Sequence, residues 1–383
     1  MNTNSYLYQK TISSTPRNYL PDTESSVIAV AMSGGVDSSV AAFLFKEAGY
    51  KVVGITAWIL SGAGRCCDNG VVDAVKICDQ LGIEHHAIDL RQDFASGIIK
   101  EFHEAYSKGE TPIPCISCNN DIKWGSLLSY SINKLGATHM ASGHYAKIVK
   151  SNEGFNLYKS DEDKKDQSYM LWGLTNSQLE KTVFPLADFA KSEVREIAAK
   201  ANLCVANKPD SQDICFVTGG MTNADYLTRI LGEKPGNIVE IESGTVLGEH
   251  KGSFNYTYGQ RKGIGIAYSE PLYVVSIDSQ TNTVYVGTKD KLFGQRAYAH
   301  KLNLINASLP ETFDALVKIR YNSSPSLAKV KITADKAMID FDEPVTAITP
   351  GQAIVFYDPL EAKEVYGGAW IQGEEQLMAG ERL

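Results

Sequence analysis

The chain has 383 residues and a formal net charge of −8, and this length predicts two or three domains rather than one core. The acidic balance argues against a protein that coats nucleic acid through bulk basicity, but a local basic stripe could still bind RNA because salt screens distant charges. No apolar run reaches membrane-spanning length, and an odd number of cysteines, 7, is typical of reduced thiols, so we expect a cytoplasmic protein without membrane contact.

Residues 1–26 are rich in Ser, Thr and Asn and show no hydrophobic periodicity. Lys10 and Arg17 precede the first acidic residue, Asp22, as they would in a weak organelle presequence. Two basic residues are a poor signal of that kind. We therefore expect this segment to be a disordered N-terminal tail.

The first strong signal is an apolar, β-branched run at Val27–Ala31, followed by Gly34 and Gly35 and then by a helix-like segment at 38–46. A strand, a glycine turn and a helix N-terminus in this order are typical of a phosphate-binding site. The two glycines let backbone N–H groups approach an anion without interference from a Cβ atom. Neither a Walker A motif nor the dinucleotide pattern Gly-x-Gly-x-x-Gly is present, so a different kind of phosphate loop is predicted.

Asp37 lies within this loop, where a carboxylate would repel a phosphate. A Mg²⁺ ion between the carboxylate and the phosphates would explain its presence. Ser33 and Ser38 would add hydroxyl donors to the same site. This short motif is also compatible with a tight glycine turn in any α/β domain, so its interpretation depends on the rest of the chain.

From residue 27 to about 145, apolar strand patterns alternate with helical patterns. This alternation predicts a parallel, doubly wound sheet that binds its ligand at the carboxyl ends of the strands. A further helix is predicted at 191–201. The other predicted strands are 51–58, 84–90 and 138–142, and the other predicted helices are 71–81, 92–106 and 119–135.

After about residue 216, glycines and prolines separate short strand-like runs, a pattern typical of small β-barrels or sandwiches. We therefore expect an α/β fold in which the doubly wound parallel sheet is followed by two smaller, mostly β domains. The first of these is a central β-rich domain and the second is a C-terminal β-barrel. The expected domains are 27–215, 216–290 and 291–383, and the strand-like runs are 271–277, 283–287, 315–321, 328–333 and 353–358.

Two thiols, Cys115 and Cys118, lie three positions apart immediately before a predicted helix. A helix dipole stabilises a thiolate near its N-terminus, which lowers the pKa of the thiol and raises its reactivity. The pair could instead form half of a zinc site, but no second Cys-x-x-Cys completes it. Cys66-Cys67 and Cys78 could be recruited, although adjacent cysteines seldom bind one tetrahedral ion together.

A third thiol, Cys215, is compatible with a small buried hydrophobic residue, since its neighbours are apolar. The loop Ser-Gly-Gly-Val-Asp-Ser resembles the pyrophosphate loop of the ATP pyrophosphatases. The complete set of motifs resembles the tRNA-specific 2-thiouridylases, in order, over roughly residues 27–383. The matching segments are 111–119 (with Cys115 and Cys118), Gly143-His144-Tyr145, 165–169, 211–216 (with Cys215), 259–265 and Thr349-Pro350-Gly351-Gln352.

The resemblance implies a tRNA-uridine 2-sulfurtransferase that uses ATP and Mg²⁺ to adenylate the C2 oxygen of the wobble uridine, because AMP leaves more readily than oxygen. A cysteine persulfide then supplies sulfur. By resemblance, Cys215 carries the persulfide and Cys118 is the partner nucleophile that releases sulfur or closes a disulfide. The residues implied to contact ATP are Ala31, Met32, Ser33, Gly34, Gly35, Val36, Asp37, Ser38, Ala57 and Gly143.

The implied partners are the anticodon arm of a tRNA and an upstream protein that donates persulfide sulfur. Simpler interpretations remain for several residues: a solvated loop before Lys165, a structural role for His144, and an outward strand face for Lys318 and Arg320. The residues implied to contact RNA are Ile113, Pro114, Cys115, His144, Lys165, Asp166, Gln167, Arg261, Lys262, Arg320, Tyr321 and Gln352.

One departure from the family concerns Cys115, because much of the family has an Asp with an acid/base role at this position. A thiol has a much higher reference pKa than a carboxylate, so the role of Cys115 stays open. Cys115, Cys118 and Cys215 could also bind an iron–sulfur cluster with one open iron, as some related tRNA thiolases do. We favour the persulfide route, since a named residue can be assigned to each of its steps and none of them requires iron.

Three other functions compete with this one. An amide-forming ligase of the same ATP group would need neither Cys118 nor Cys215, and would not explain the β-rich second half. A 4-thiouridine-type thiolase typically carries an additional N-terminal RNA-binding domain, for which residues 1–26 are too short. A non-enzymatic RNA-binding protein would need neither the intact loop nor the two sulfur cysteines.

Overall fold

A computed structural model of the chain describes residues 5–62, 68–210 and 214–373. The chain divides into two compact units. The first contains residues 1–98, 115–218 and 363–366, and the second contains residues 99–114, 219–362 and 367–383. None of the helices in the described ranges is long and apolar enough to span a membrane.

The helices include two continuous stretches, 91–107 and 114–135, that widen into π-helical turns at Ala95–Ile99 and Cys118–Leu127. Single 3₁₀ turns lie at Ser168–Met170, Ser253–Asn255 and Lys289–Leu292. The α-helices are α1 (Tyr6–Ser13), α2 (Val36–Glu47), α3 (Asp68–Leu81), α4 (Arg91–Phe94), α5 (Lys100–Ser107), α6 (Pro114–Ser117), α7 (Leu128–Leu135), α8 (Asn176–Glu180), α9 (Lys191–Lys200) and α10 (Asn223–Leu231).

The strands are short in the first unit and longer towards the end of the chain. They are β1 (Val27–Ala31), β2 (Lys51–Trp58), β3 (Glu84–Asp89), β4 (His139–Ser142), β5 (Lys147–Ser151), β6 (Gly154–Tyr158), β7 (Thr182–Val183), β8 (Gly236–Glu240), β9 (Val246–His250), β10 (Tyr273–Asp278), β11 (Thr283–Gly287), β12 (Phe293–Leu304), β13 (Thr312–Lys318), β14 (Ser326–Thr333), β15 (Lys336–Thr346), β16 (Ala353–Tyr357) and β17 (Glu364–Ile371). Each run that was predicted as a strand from the sequence overlaps one of these elements.

The first unit is built on a parallel sheet with the strand order β3-β2-β1-β4-β7. The chain moves outward from β1 to β2 and β3 and then returns to place β4 on the other side of β1. Ile28, Ala29 and Val30 are fully buried, as expected for a central strand of a sheet that helices cover. The predicted doubly wound sheet is confirmed, and its topological reversal lies at the carboxyl ends of β1 and β4, where such sheets bind ligands.

Residues 5–26 differ from the disordered tail that the sequence predicts. Helix α1 buries Leu7 and Tyr8 in the hydrophobic core of the first unit. The side chain of Asn18 is buried and donates a hydrogen bond to the carbonyl of Phe184 at 2.9 Å. A helix of two turns is too short to show a hydrophobic period, which is why the sequence did not reveal this packing.

A hairpin of β5 and β6 extends the first unit beyond the parallel sheet. Strand β6 pairs antiparallel with the first residues of β17, with Tyr158 opposite Glu364 and Leu157 opposite Val365. The hydroxyl of Tyr158 donates to the Glu364 carboxylate at 3.0 Å. The segment 363–366 therefore belongs to the first unit although it lies near the end of the chain.

The second unit contains two β structures and a helical segment. Strands β10, β11, β8 and β9 form one sheet around a small core that includes Ile238, Val274 and Val284. The second β structure has the strand order β12-β15-β14-β13-β16-β17, and its first and last strands, β12 and β17, also pair with each other. These antiparallel strands therefore close into the predicted C-terminal barrel. Helix α5 belongs to this unit and contacts α10, where His103 Nε2 lies 3.0 Å from the Tyr226 hydroxyl.

Candidate active site

The glycine-rich turn connects β1 to α2 at the carboxyl edge of the parallel sheet. Gly35 is the N-cap of α2. It has no side chain, so the first N–H groups of the helix receive no hydrogen bond from an N-cap side chain. Gly34 has φ +66, and a Cβ atom there would lie 2.6 Å from the carbonyl oxygen of Gly70. Only glycine fits this left-handed position beside α3. The predicted arrangement of strand, turn and helix N-terminus is therefore present.

The backbone of this turn is held by neighbouring strand β2. Met32 N donates to the Ile55 carbonyl at 2.7 Å, and Thr56 Oγ1 donates to the Met32 carbonyl at 2.8 Å. Ala57, an expected ATP contact, follows Thr56 at the carboxyl end of β2 and is half-buried. The sequence analysis did not identify Thr56, whose hydroxyl fixes the start of the loop from the adjacent strand.

The serine hydroxyls of the loop serve its own backbone. Ser38 Oγ accepts a hydrogen bond from Ser33 N at 3.2 Å, and Ser38 and Ser39 donate to the Gly35 carbonyl at 3.2 and 2.8 Å. Ser38 and Ser39 are buried. In this arrangement the hydroxyls of these two residues stabilise the turn, and the backbone N–H groups at the start of α2 are the donors that could face an anion.

Asp37, in the first turn of α2, accepts two hydrogen bonds at the same oxygen. Lys191 Nζ lies 2.5 Å and the Tyr145 hydroxyl 2.9 Å from Asp37 Oδ1. Burial and the neighbouring carboxylate raise the pKa of Tyr145, which keeps the phenol neutral and able to donate. A single carboxylate in a nucleotide site fits Mg²⁺, which commonly takes one or two carboxylates together with phosphate oxygens.

A second set of charges joins this loop to the segment before Cys215. Lys208 Nζ donates to the Gly34 carbonyl at 2.9 Å and lies 2.7 Å from Asp73 Oδ2. Asp210 Oδ1 lies 3.0 Å from Lys191 Nζ. Although burial alone would raise the pKa of Asp210, hydrogen bonds from Lys191 and Lys165 lower it to about 2.

Gly143 and His144 follow β4, next to the loop. A Cβ atom on Gly143 would lie 2.7 Å from the backbone of Asp37 and Ser38, so this position requires close approach of two chain segments. His144 Nδ1 lies 2.7 Å from Ser142 Oγ, and its Nε2 lies 3.4 Å from Lys123 Nζ. Burial and the Lys123 ammonium hold the pKa of His144 well below its usual value, so its ring is neutral.

This geometry assigns His144 a definite tautomer. A lysine ammonium can only donate, so Nε2 is the acceptor and Nδ1 carries the proton that reaches Ser142. Both nitrogens of His144, a residue that the resemblance implies contacts RNA, are therefore engaged with protein groups.

Cys115 and Cys118 lie in the first turns of the helical stretch 114–135. Cys118 is half-buried, and Cys115 is solvent-exposed. The protein around Cys115 nevertheless desolvates its thiol and raises its pKa, an effect that Lys123 opposes. Cys115 is therefore mainly protonated at neutral pH.

The other cysteines separate into different environments. Cys215 is exposed, whereas Cys78 is fully buried, and burial raises the pKa of Cys78 to about 12. Within the described ranges, no three His, Cys, Asp or Glu residues come together as a group that could hold a metal ion. Cys66 and Cys67 lie outside the described residues, as do positions 211–213 of the Cys215 motif.

The segment Lys165-Asp166-Gln167, which the resemblance implies contacts tRNA, makes hydrogen bonds and an ion pair within the first unit. Asp166 is buried and accepts hydrogen bonds from Ser160 N at 3.1 Å and from the Ser168 hydroxyl at 2.8 Å. Gln167 Oε1 accepts from Tyr145 N at 3.0 Å. The side chains of Asp166 and Gln167 therefore stabilise the fold of the first unit next to Tyr145, and Lys165 pairs with Asp210 at 3.0 Å.

In the second unit, Arg261 and Lys262 are exposed on the loop that contains the matching segment 259–265. Gln260 supports this loop, because its Nε2 donates to the Lys262 carbonyl at 2.9 Å and its Oε1 accepts from Thr257 N at 3.0 Å. The two cationic side chains are thus presented to solvent by an internally bonded turn.

Arg320 has the opposite environment in the same unit. Its Nη2 donates to the Tyr258 carbonyl at 3.1 Å and to the Ala347 carbonyl at 2.9 Å, and it also contacts Thr349 Oγ1. The side chain is half-buried. The guanidinium group of Arg320, a residue implied to contact RNA, therefore joins two loops of the second unit. Its neighbour Tyr321 is half-buried, with Lys318 Nζ at 5.7 Å from the ring centroid.

Gln352 supports the segment that leads to Ile113 and Pro114. Its Nε2 donates to the Thr111 carbonyl at 2.7 Å, and Thr111 N donates to the Pro350 carbonyl at 2.9 Å. Gln352 was expected to contact RNA, but this side chain holds the Thr111 backbone. Ile113 is half-buried and Pro114 is buried.

The sequence analysis missed four side chains that shape the site: Thr56, Lys123, Lys191 and Lys208. Lys208 lies three residues before the matching segment 211–216, and a cation close to the acidic residues Asp210 and Asp213 in the sequence was the available signal. Lys191 was counted only as part of an amphipathic helix. No pattern in the sequence connects Lys191 with Asp37, because 154 positions separate them.

Known domain families match the chain in the order of its elements. The tRNA methyl transferase HUP domain matches residues 26–219, the tRNA methyl transferase PRC-barrel domain matches residues 224–288, and the aminomethyltransferase beta-barrel domain matches residues 295–371. The first match contains the pyrophosphate-type loop, Cys118 and Cys215. The last match contains most of the closed barrel.

Curated relatives match over most of their length. The chain is 39% identical over 349 residues to the tRNA-specific 2-thiouridylase MnmA of Nostoc punctiforme, which covers 90% of this chain and 98% of the relative. It is 43% identical over 358 residues to the protein of the same name from Lachnoclostridium phytofermentans, which covers 90% and 99%. Among solved structures, the U34-tRNA thiolase NcsA from Methanococcus maripaludis aligns with 50% of this chain and 61% of its own at 20% identity, with a TM-score of 0.33.

Proposed function

Because this chain belongs to the family of tRNA-specific 2-thiouridylases, we propose that it is a tRNA-uridine 2-sulfurtransferase that replaces the C2 oxygen of a wobble uridine with sulfur. The observation that carries the proposal is the set of functional groups that the first unit contains. One compact body contains the phosphate-type loop at a topological reversal, together with Cys118 and Cys215. An ATP-activating loop and two sulfur-handling thiols are the groups that this reaction requires.

ATP is the activating substrate in this proposal. The N–H groups at the start of α2 and the Gly34–Gly35 turn bind its phosphates, while Ala57 and Gly143 lie at the strand ends beside the loop. The uridine O2 attacks the α-phosphorus, pyrophosphate leaves, and C2 then carries AMP as a leaving group. Asp37 is the residue that would hold Mg²⁺, which when bound neutralises charge on the phosphates.

Cys215 and Cys118 carry the sulfur transfer. Cys215 receives the sulfur as a persulfide from a donor protein, and the terminal sulfur attacks C2 and displaces AMP. The Cys118 thiolate then attacks Cys215 Sγ, so that the sulfur bound to C2 departs as the 2-thio group and a Cys118–Cys215 disulfide forms. An external dithiol must reduce that disulfide before the next cycle, since the transfer leaves the two cysteines oxidised.

Exposed cations of the second unit bind the tRNA in this proposal. Arg261 and Lys262 can each reach a phosphate, and Tyr321 offers a ring on which an unpaired base can stack. The substrate region is the anticodon arm, because the wobble uridine lies in its loop. A cytoplasmic location is part of the same proposal, since it gives access to tRNA and keeps the thiols reduced.

Nucleoside mass spectrometry tests the function directly. The purified chain is incubated with Mg²⁺, ATP, a persulfide donor, a dithiol reductant and a tRNA transcript that has a wobble uridine. We expect 2-thiouridine and AMP in equal amounts. A transcript with cytidine at the wobble position is the matched control and should remain unthiolated. Formation of 4-thiouridine, or of no thionucleoside, would contradict the proposal.

The same assay separates the persulfide route from an iron–sulfur route. Protein prepared and assayed without air, in the presence of an iron chelator, should thiolate tRNA at the normal rate. Activity that depends on added iron would favour the alternative thiolase of the same ATP group.

A further inference from the structure

Two lysines outside the glycine-rich motif lie against the loop of the first unit. Lys208 Nζ donates to the carbonyl of Gly34, at 2.9 Å, in the loop itself. Lys191, the first residue of α9, lies 2.5 Å from Asp37 Oδ1. The side chain of Lys191 is only 12% exposed and that of Lys208 is 30% exposed. Both ammonium groups are thus placed at the loop and partly shielded from water.

Each of these lysines has capacity for a ligand oxygen. An ammonium group carries three N–H donors. The contacts of Lys208 with Gly34 and Asp73 use two of them, and the contacts of Lys191 with Asp37 and Asp210 use two. One donor of each lysine therefore remains for an oxygen that approaches the loop.

The charges around the loop leave a cationic surplus. Three carboxylates form ion pairs with four close cations. A fifth cation, Lys76, lies 3.9 Å from Asp73. Four positive charges against three negative ones give a surplus of one before Lys76 is counted, and an anion at the loop would offset it. The carboxylates are Asp37, Asp73 and Asp210, and the close cations are Lys165, Lys191, Arg195 and Lys208.

We propose that Lys191 and Lys208 bind the terminal phosphates of ATP, and that Lys208 thereby holds the segment 208–210, which precedes Cys215 in the chain, at the loop when the nucleotide binds. The inference rests on the proposed function, which places ATP at this loop. It adds two positioning residues for the phosphates and a physical connection between the nucleotide site and the sulfur-carrying cysteine.

The connection follows from the position of Lys208 in the chain. Lys208 and Asp210 lie seven and five residues before Cys215, and both are already attached to the loop region, Lys208 through Gly34 and Asp210 through Lys191. A phosphate that accepts a hydrogen bond from each lysine adds to these attachments without displacing them. Binding therefore strengthens the attachment of the segment, and by reciprocity an attached segment strengthens nucleotide binding.

Nucleotide affinity tests the first part. Titration with Mg²⁺ and α,β-methylene-ATP should show a loss of about tenfold or more for Lys191→Met and for Lys208→Met, the size expected for one charge-assisted hydrogen bond. AMP, which lacks the terminal phosphates, should bind all variants alike. Lys200→Met is the matched control, because Lys200 lies on the same helix, is 66% exposed and is 3.8 Å from Glu196. Thermal unfolding checks that each variant is folded, and Lys191→Arg should recover affinity.

Alkylation of Cys215 tests the second part. Iodoacetamide modification of Cys215, followed by peptide mass spectrometry, should be slower in the wild-type chain when α,β-methylene-ATP and Mg²⁺ are bound. In Lys208→Met, at a nucleotide concentration that saturates this variant, the rate should not change. Slowing of equal size in both proteins would mean that the nucleotide shields Cys215 without Lys208, and would overturn the connection.

The outcomes separate this inference from the function on which it rests. If the wild-type chain binds no adenine nucleotide, the proposed function fails. If it binds nucleotide and thiolates tRNA, while both lysine variants bind as tightly as Lys200→Met, only the inference about the lysines is wrong.

Discussion

The two units of this protein use their charged residues in different ways. At the loop of the first unit, Lys191 Nζ lies 2.5 Å from Asp37 Oδ1, and Lys208 Nζ lies 2.9 Å from the Gly34 carbonyl oxygen. Both lysine side chains are partly shielded from water. In the second unit, Arg261 is exposed on a loop, while Arg320 is turned inward onto backbone carbonyls. The comparison teaches that cationic side chains of one protein can be paired with carboxylates, exposed to solvent or bound to backbone carbonyls, and that the tertiary environment decides which of these occurs.

The strongest test of the comparison is removal of the thiols of the first unit. Cys118→Ser and Cys215→Ser should each reduce 2-thiouridine formation to background, because an alcohol neither carries transferable sulfur nor forms a disulfide. Nucleoside mass spectrometry of the reacted tRNA measures the effect. Cys204→Ser, which changes another exposed cysteine of the same unit, should keep full activity. Substantial product from either of the first two variants would remove that cysteine from the mechanism.

A second test replaces the carboxylate of the loop. Asp37→Ala should reduce tRNA-dependent pyrophosphate release by roughly 100-fold or more, the loss typical of removing a group that stabilises phosphoryl transfer. tRNA affinity should change little, because the exposed cations proposed to contact phosphates, Arg261 and Lys262, belong to the second unit. Asp163→Ala, at an exposed position of the same unit, is the control. Normal pyrophosphate release by Asp37→Ala would show that the carboxylate is dispensable.

The inward and outward arginines of the second unit can be separated by stability. Arg320→Met should lower the free energy of unfolding by about 1–3 kcal/mol, because carbonyls of two loops lose their donor. Arg261→Met should change it by no more than about 0.5 kcal/mol, as is usual for an exposed site. Thermal or denaturant unfolding of the two variants gives the comparison directly, and equal effects would contradict the contrast drawn here.

Salt dependence gives the complementary measurement for the same pair. Each lost phosphate contact should lower the log–log slope of tRNA affinity against salt by roughly one unit, and less in single-stranded regions. Arg261→Met and Lys262→Met should show this change. Arg320→Met, measured where it is folded, should leave the slope unaltered. An unchanged slope in both loop variants would return Arg261 and Lys262 to a solvated surface role.

The smallest effect is expected at Cys115. Cys115→Asp should thiolate tRNA at close to the normal rate, since it restores the residue common in the family and places a carboxylate near Lys123. Desolvation raises the pKa of the Cys115 thiol, so we expect a neutral thiol and not a thiolate there at neutral pH. Cys115→Ser should also remain active. Loss of activity in both variants would give Cys115 an essential role of its own.

Local signals in the sequence were sufficient for the fold class and for the chemistry of the loop. The strand–glycine–helix order around Gly34, and the alternation of strands and helices up to β4, depend on neighbours within one element, so they can be identified without tertiary contacts. The short helix α1 was missed, since two turns carry too little periodicity. The inward role of Asp166 was missed because a charge run has the same composition whether it is solvated or buried.

The sequence by itself therefore determined the class of fold, the family, the phosphate-type loop and the positions of the cysteines within the family's motifs. Each of these depends on residue types at short, ordered spacings. Only the tertiary structure decided the direction in which each charged side chain points. Lys191 reaches Asp37 across 154 positions, Lys208 reaches Gly34 across 174, and Arg320 reaches Tyr258 across 62. Such contacts form where separate segments of the folded chain meet, and local propensity carries no information about them.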